Sequence, residues 1–133
     1  MKELAALLRR FDIEIVRFGI VGIAASLTHF ISVYLIVSGL GIRPILANIF
    51  AFLIAFGVSY AGHSLWTFSH KKHEHNKTVA RFLGVALFSF ALNEGGYYLL
   101  LDFTQLDYRT SLLIVLIIVP IVTFILSKYW AFN

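Results

Sequence analysis

Six side chains in an otherwise apolar sequence have the chemistry to handle a polar ligand: His29, His63, Asn93, Glu94, Ser127 and Lys128. A lysine, a serine hydroxyl and an imidazole are groups that hold a phosphate, and Lys128, Ser127 and His63 supply that set. His29, Asn93 and Glu94 supply an imidazole, an amide and a carboxylate, which hydrogen-bond the polar part of a substrate. Glu94 alone also has the chemistry of a proton-exchange site. A further cluster, His70, His73 and His75 in the stretch HKKHEHNK, contains metal-ligand types. Its loop spacing specifies no metal, and its lysines equally suit anionic lipid headgroups. No Ser-His-Asp spacing, phosphate loop, paired aspartates or zinc motif is present, so no catalytic residue, metal or cofactor is assigned. With 0 cysteines there is no disulfide framework or zinc-thiolate site.

The elements that must position these groups follow from composition. Of the 133 residues, 59% are hydrophobic and only 14% charged. A soluble domain of this length is about a quarter charged. The chain lacks the polar side chains to cover a water-facing surface, which places it in the membrane class. Four apolar stretches, 18–39, 45–66, 82–101 and 111–132, each hold about 20 residues, enough to cross a ~30 Å hydrocarbon layer as a helix. The spans must be helical, because lipid offers the backbone no hydrogen-bond partners. Pro44 opens the second span, where its missing N–H costs little, and Pro120 is expected to bend the fourth.

The net charge of +4 collects around the spans, which points to a membrane surface and away from nucleic acid. Of the 11 Lys and Arg residues, only Arg43 and Arg109 lie in the loops after spans 1 and 3. By the positive-inside rule both termini are cytoplasmic, and Trp66, Tyr129 and Trp130 form an aromatic belt at the inner interface. Residues 1–16 carry acidic residues and no small-residue cleavage site, so they do not read as a cleavable signal. Leu4, Leu7, Leu8, Phe11 and Ile15 share a helical face, and the expectation is a short amphipathic helix lying on the inner leaflet. Residues 17–133 then form the transmembrane domain.

An internal repeat relates the two halves. Arg17-Phe18 recurs as Arg81-Phe82, and Trp66-Thr67-Phe68 as Trp130-Ala131-Phe132, at a single offset of 64. Val21, Tyr34 and Leu35 match Val85, Tyr98 and Leu99 at the same offset. Each half is a two-span hairpin, and an even number of spans makes the halves parallel repeats. Ala47, Ala51, Ala55, Ser59 and His63 are spaced by four, as are Ser111, Val115, Val119, Thr123 and Ser127. Small residues at this spacing allow close helix packing. Glu94 lies 13 residues beyond Arg81, which places it ~20 Å along the helix. A charge at that depth costs several kcal/mol unless paired, hydrated or neutral. Glu94 is therefore expected to point inward, toward His29 or a hydrated groove.

The stretches RFGIVGIAASLTHF, ANIFAFLIAFGVSYAGHSLWTF, RFLGVALFSFALNEGGYYLL and VPIVTFILSKYWAF resemble the GtrA-like family of small four-span bacterial membrane proteins, in its histidine-containing subgroup. The resemblance covers residues 17 to 132. The chain departs from the family pattern at Glu94, where a glutamine is usual, and at Lys128, often an arginine. The resemblance implies movement of polyprenyl-phosphate-linked sugars from the inner to the outer leaflet for cell-surface polysaccharide synthesis, or assistance to a partner glycosyltransferase. On that reading His63 with Lys128 captures the phosphate, while His29, Asn93 and Glu94 hydrogen-bond the sugar. Four helices enclose little volume, so a homodimer with the groove at or near its interface is expected. The alternatives are a non-transporting scaffold for the glycosyltransferase and a proton-coupled small-cation transporter using Glu94.

Overall fold

Three residues make the turn between the first two helices. Gly41 adopts a left-handed φ of 66° and donates its N–H to Val37 O, closing α1 (Lys2–Leu40). Arg43 is non-helical, with φ −58° and ψ 141°, and Pro44 opens α2 (Pro44–Gly62) at the position where a missing N–H costs little. The computed structural model describes residues 1–71 and 74–133, with the side chains of Tyr108 and Arg109 excluded. The remaining helices are α3 (His75–Phe103) and α4 (Tyr108–Leu126). Asp107 caps α4, its carboxylate accepting from Thr110 N–H at 3.3 Å. Helix α4 continues through Pro120. The described residues are all-helical, with no strand among them.

The chain divides into two units, Met1–His70 and Lys71–Asn133. In the first, α1 packs on α2; in the second, α3 packs on α4. Among the described residues three helical stretches are long and apolar enough to cross a membrane: Lys2–Leu40, Pro44–Thr67 and Thr110–Ala131. This is a multi-pass membrane protein. Helix α3 falls short of that measure; its interior carries Asn93, Glu94, Gly95 and Gly96, and its first turns carry Lys77 and Arg81.

The separate amphipathic helix expected over residues 1–16 is not separate. It runs without a break into the first apolar stretch, making one helix of 39 residues. Nothing between Asp12 and Phe18 caps or kinks a helix: there is no proline, no glycine and no side-chain cap. At 1.5 Å per residue the helix is ~58 Å long, well beyond the hydrocarbon thickness, so part of it extends past the apolar layer or tilts within it.

Within the first unit the core is small. Val21, Ala47, Ala51, Ala55 and Phe68 are buried, and Ala47 and Ala51 are fully enclosed. In the second, Phe82, Val85, Val115, Phe124, Ala131 and Phe132 do the same work, with Ser111 and Ser127 buried beside them. The spacing of four along α2 and α4 faces these small residues toward the partner helix, as the sequence pattern predicts.

Each hairpin ends in the same structure. The last turn of α2 widens into a π-type turn, His63–Thr67, and that of α4 into Ser127–Ala131. His63 O accepts from Phe68 N–H at 2.8 Å, and Ser127 O from Phe132 N–H at 2.9 Å. A helix end leaves carbonyls without partners, and an arginine from the neighbouring helix meets one of them. Arg17 Nη1 donates to Trp66 O at 3.0 Å, and its guanidinium lies 5.4 Å from the centre of the Trp66 ring. Arg81 Nη1 donates to Trp130 O at 3.3 Å, 5.9 Å from the centre of that indole. The paired Arg-Phe and Trp-x-Phe motifs thus have a structural reason. Arg17→Gln and Arg81→Gln each remove a charged donor from a partly exposed carbonyl. Each is expected to lower thermal stability in detergent by about 1 kcal/mol, and unchanged unfolding midpoints would contradict that assignment.

Candidate functional site

Several polar side chains of the apolar spans are bound to one another within each hairpin. In the first, His29 Nε2 donates to Asn48 Oδ1 at 2.8 Å, joining α1 to α2. His29 is half-buried and Asn48 exposed. Asn48 is a partner that sequence reading overlooks, because it follows Pro44 by one helical turn and looks like part of the helix start. In the second hairpin Thr123 Oγ1 donates to Val119 O at 2.8 Å. That commits the threonine proton, so Ser89 Oγ donates to Thr123 Oγ1 at 2.6 Å, joining α3 to α4. Each hairpin is therefore bridged by a side-chain hydrogen bond in its apolar part.

His63 is enclosed. Only 2% of it is exposed, its ring stacks on Phe18 with centroids 4.4 Å apart, and Nδ1 shares a hydrogen bond with Thr67 Oγ1 at 3.0 Å. The imidazole braces the π-type turn of its own hairpin. Ser127, its counterpart at offset 64, is fully buried, and its hydroxyl has no hydrogen-bond partner among the described residues. Lys128 is half-buried; its ammonium sits 5.5 Å from the Tyr129 ring and 5.9 Å from Phe124. Lys71 donates to Lys128 O and lies 5.8 Å from the same Tyr129 ring. Two ammonium groups thus lie near one tyrosine ring, an arrangement with local positive charge and aromatic shielding.

On α3, Asn93 is half-buried and Glu94 is exposed at the surface of the second unit. Of the histidine cluster, His73 lies outside the described residues, as does Lys72. His70 faces a carboxylate instead: His70 Nε2 lies 3.1 Å from Glu14 Oε1. Glu14 is 2% exposed, the most deeply buried acidic residue in the described chain. In the sequence it is one of the acidic residues that argue against a cleavable signal over residues 1–16. No composition or spacing signal links residues 14 and 70; the contact exists only because α1 runs back along the end of α2.

These features share a chemistry: hydrogen-bonding groups and cations held along and at the ends of apolar hairpins. The sequence profile of the GtrA/DPMS transmembrane domain matches residues 17–132. No individual curated protein matches the chain.

Proposed function

The chain belongs to the GtrA/DPMS transmembrane-domain family, and from that premise we propose that it moves a polyprenyl-phosphate-linked sugar between leaflets. The family is associated with movement of lipid-linked sugars and with non-catalytic membrane proteins. In this reading all four helices cross the membrane, α3 included, and the two hairpins are parallel repeats with both termini on the cytoplasmic side of a bacterial inner membrane. The recurrence of the arginine clasp and π-type turn at offset 64 supports the repeat. The protein is not an enzyme; it lowers the barrier for a sugar and phosphate to pass through hydrocarbon, a barrier of many kcal/mol for unpaired polar groups.

The observation that carries the reading is the pairing of His29 with Asn48 inside an apolar hairpin. A hydrogen-bond donor and acceptor already paired across two helices can exchange that partner for a sugar hydroxyl at little net cost. Asn93 and Glu94 add an amide and a carboxylate on α3, and Lys128 supplies a cation for the phosphate. His63 and Ser127 lie at the ends of the two hairpins, beside the π-type turns, as further groups for the phosphate. A homodimer provides the enclosed volume that four helices lack. Cross-linking in native membranes is expected to trap dimers, and monomers alone would contradict this part. A glycosyltransferase that makes or uses the sugar lipid is the partner this role requires. The test is leaflet exchange of a labelled polyprenyl-phosphate sugar in proteoliposomes. If the protein were only a scaffold, exchange would match that of protein-free vesicles.

A further inference from the structure

The first unit contains a cavity of about 390 Å³ where the start of α1 meets the segment after the π-type turn, lined by Arg9, Arg10, Glu14, Arg17, Ser69 and His70. Its charge is lopsided. Three guanidiniums face one carboxylate, and that carboxylate is engaged by His70. Arg9 and Arg10 make no ion pair or hydrogen bond among the described residues. Arg17 Nη1 is committed to Trp66 O, but a guanidinium carries five N–H donors, and the others remain for a ligand. Planar donor forks suit the oxygens of a phosphate better than any other common anion, except a carboxylate.

The hairpin architecture does not require this cluster. What the fold needs recurs at offset 64: Arg17 and Arg81 make the same clasp. Apart from Arg17, the charged residues that line the cavity do not recur. Arg10 corresponds to Glu74, and the buried Glu14 corresponds to the buried Thr78. A threonine thus fills the same structural place in the second hairpin without a carboxylate or an arginine pair.

Immediately beside the cavity, and sharing Ile13 and Arg17 with it, runs a mostly apolar groove of about 320 Å³ lined also by Val16, Ile20, Trp66 and Asp12. A phosphate site opening into a hydrocarbon-lined groove fits an amphiphile, not a free ion. We propose that Arg9, Arg10 and Arg17, with His70 oriented by Glu14, bind the phosphate ester of a lipid at the inner-leaflet surface, its chain lying against Ile13, Val16, Ile20 and Trp66. The site deepens the reading given under Proposed function by naming where a phosphate is first held. It depends on a membrane location, and its test is binding, which is separable from transport.

The experiment uses the full chain in phosphatidylcholine nanodiscs supplemented in turn with polyprenyl phosphate or phosphatidylglycerol. Inorganic phosphate is added as a competitor in a third arm. Lipid retention is read by native mass spectrometry for the wild type, R9Q/R10Q, R9K/R10K and K77Q. Lys77 is an exposed cation of the second unit, paired with Glu74 at 3.5 Å, and serves as the charge control. The expected result is a loss of phosphate-lipid retention of about tenfold or more in R9Q/R10Q. R9K/R10K should fall between, because charge survives but the planar fork does not. K77Q should match the wild type. Retention of both lipids marks a general headgroup site, and retention of polyprenyl phosphate alone marks a carrier site; both support the proposal. Equal retention in R9Q/R10Q and wild type overturns it, as does an equal loss in K77Q. Full displacement by inorganic phosphate at the lipid's own concentration overturns the lipid assignment. Leaflet exchange measured on the same variants separates the two readings. Binding intact with no exchange in the wild type removes the transport reading and leaves the site. Exchange intact with unchanged binding in R9Q/R10Q removes the site and leaves transport.

Discussion

Gly62→Leu is expected to disrupt the first hairpin, and even Gly62→Ala to destabilise it by about 1–3 kcal/mol. A Cβ at position 62 would lie 2.7 Å from Val21 Cγ1 and 2.9 Å from Cγ2. Neither distance is tolerated between carbons, so something must move. Val21 cannot easily yield: it is buried, and a β-branched side chain in a helix has one strongly preferred rotamer. The contact is therefore relieved by separating α1 from α2, which also loosens the packing around Ala47, Ala51 and Ala55. Helix propensity favours alanine over glycine by about 1 kcal/mol and offsets part of the cost. Leucine adds further volume beyond a Cβ that already clashes with Val21. The diagnostic is the double variant Val21→Ala/Gly62→Ala. It should be closer in thermal midpoint to Val21→Ala alone than additivity allows, because shortening Val21 removes the clash. Additive losses would show that the glycine matters for another reason. The offset-64 counterpart of Gly62 is Leu126, so the second hairpin accommodates a large side chain where the first cannot.

His29→Ala and Asn48→Ala are each expected to slow leaflet exchange of a polyprenyl-phosphate sugar by about tenfold. Stability should change by less than about 1 kcal/mol, since side-chain hydrogen bonds between membrane helices average ~0.6 kcal/mol. The two residues form one hydrogen-bonded unit at 2.8 Å. Groups that act as a unit are non-additive, so the double variant should be little slower than either single one. A scaffold predicts no effect on exchange from any of the three. A proton-coupled carrier predicts that Glu94→Gln abolishes transport, whereas in the present account that change brings the chain toward the family's usual residue and is tolerated.

Much of the architecture was legible because membranes restrict the choices. Apolar stretches of span length have to be helices; each expected stretch is helical, three helical stretches among the described residues are long and apolar enough to cross a membrane, and α1 and α3 begin well before the stretch expected of them. Arg-Phe and Trp-x-Phe at one offset are visible in the sequence, but what these motifs do is not: an arginine reaching a carbonyl on the neighbouring helix at the end of a π-type turn is a tertiary fact. The join between the N-terminal segment and α1 was missed because amphipathic patterning reports which faces are polar and not where a helix stops. With no glycine or proline between Asp12 and Phe18, the helix has no reason to stop there.

The candidate site was only partly legible, for a related reason. His29, Asn93, Glu94 and Lys128 stand out as polar residues in apolar runs. Asn48 does not, because it sits near a loop where asparagine is common. His63 reads in the sequence as a phosphate ligand, while its stack on Phe18 and its bond to Thr67 are contacts that the sequence does not show. Glu14 and His70 are distant in sequence and lie in segments where charge is expected. Their meeting depends on the fold bringing α1 against the end of α2, which no periodicity encodes.

The central claim is that these hairpins carry a phosphorylated sugar lipid through hydrocarbon, and one measurement addresses it most directly. Purified protein is reconstituted into liposomes with a fluorescent polyprenyl-phosphate sugar, and a membrane-impermeant quencher reports the outer leaflet over time. The account predicts that wild-type vesicles expose the inner-leaflet pool much faster than protein-free vesicles, and that His29→Ala vesicles fall between. Identical quenching curves for wild-type and protein-free vesicles, with the protein shown to be folded and inserted, would contradict it.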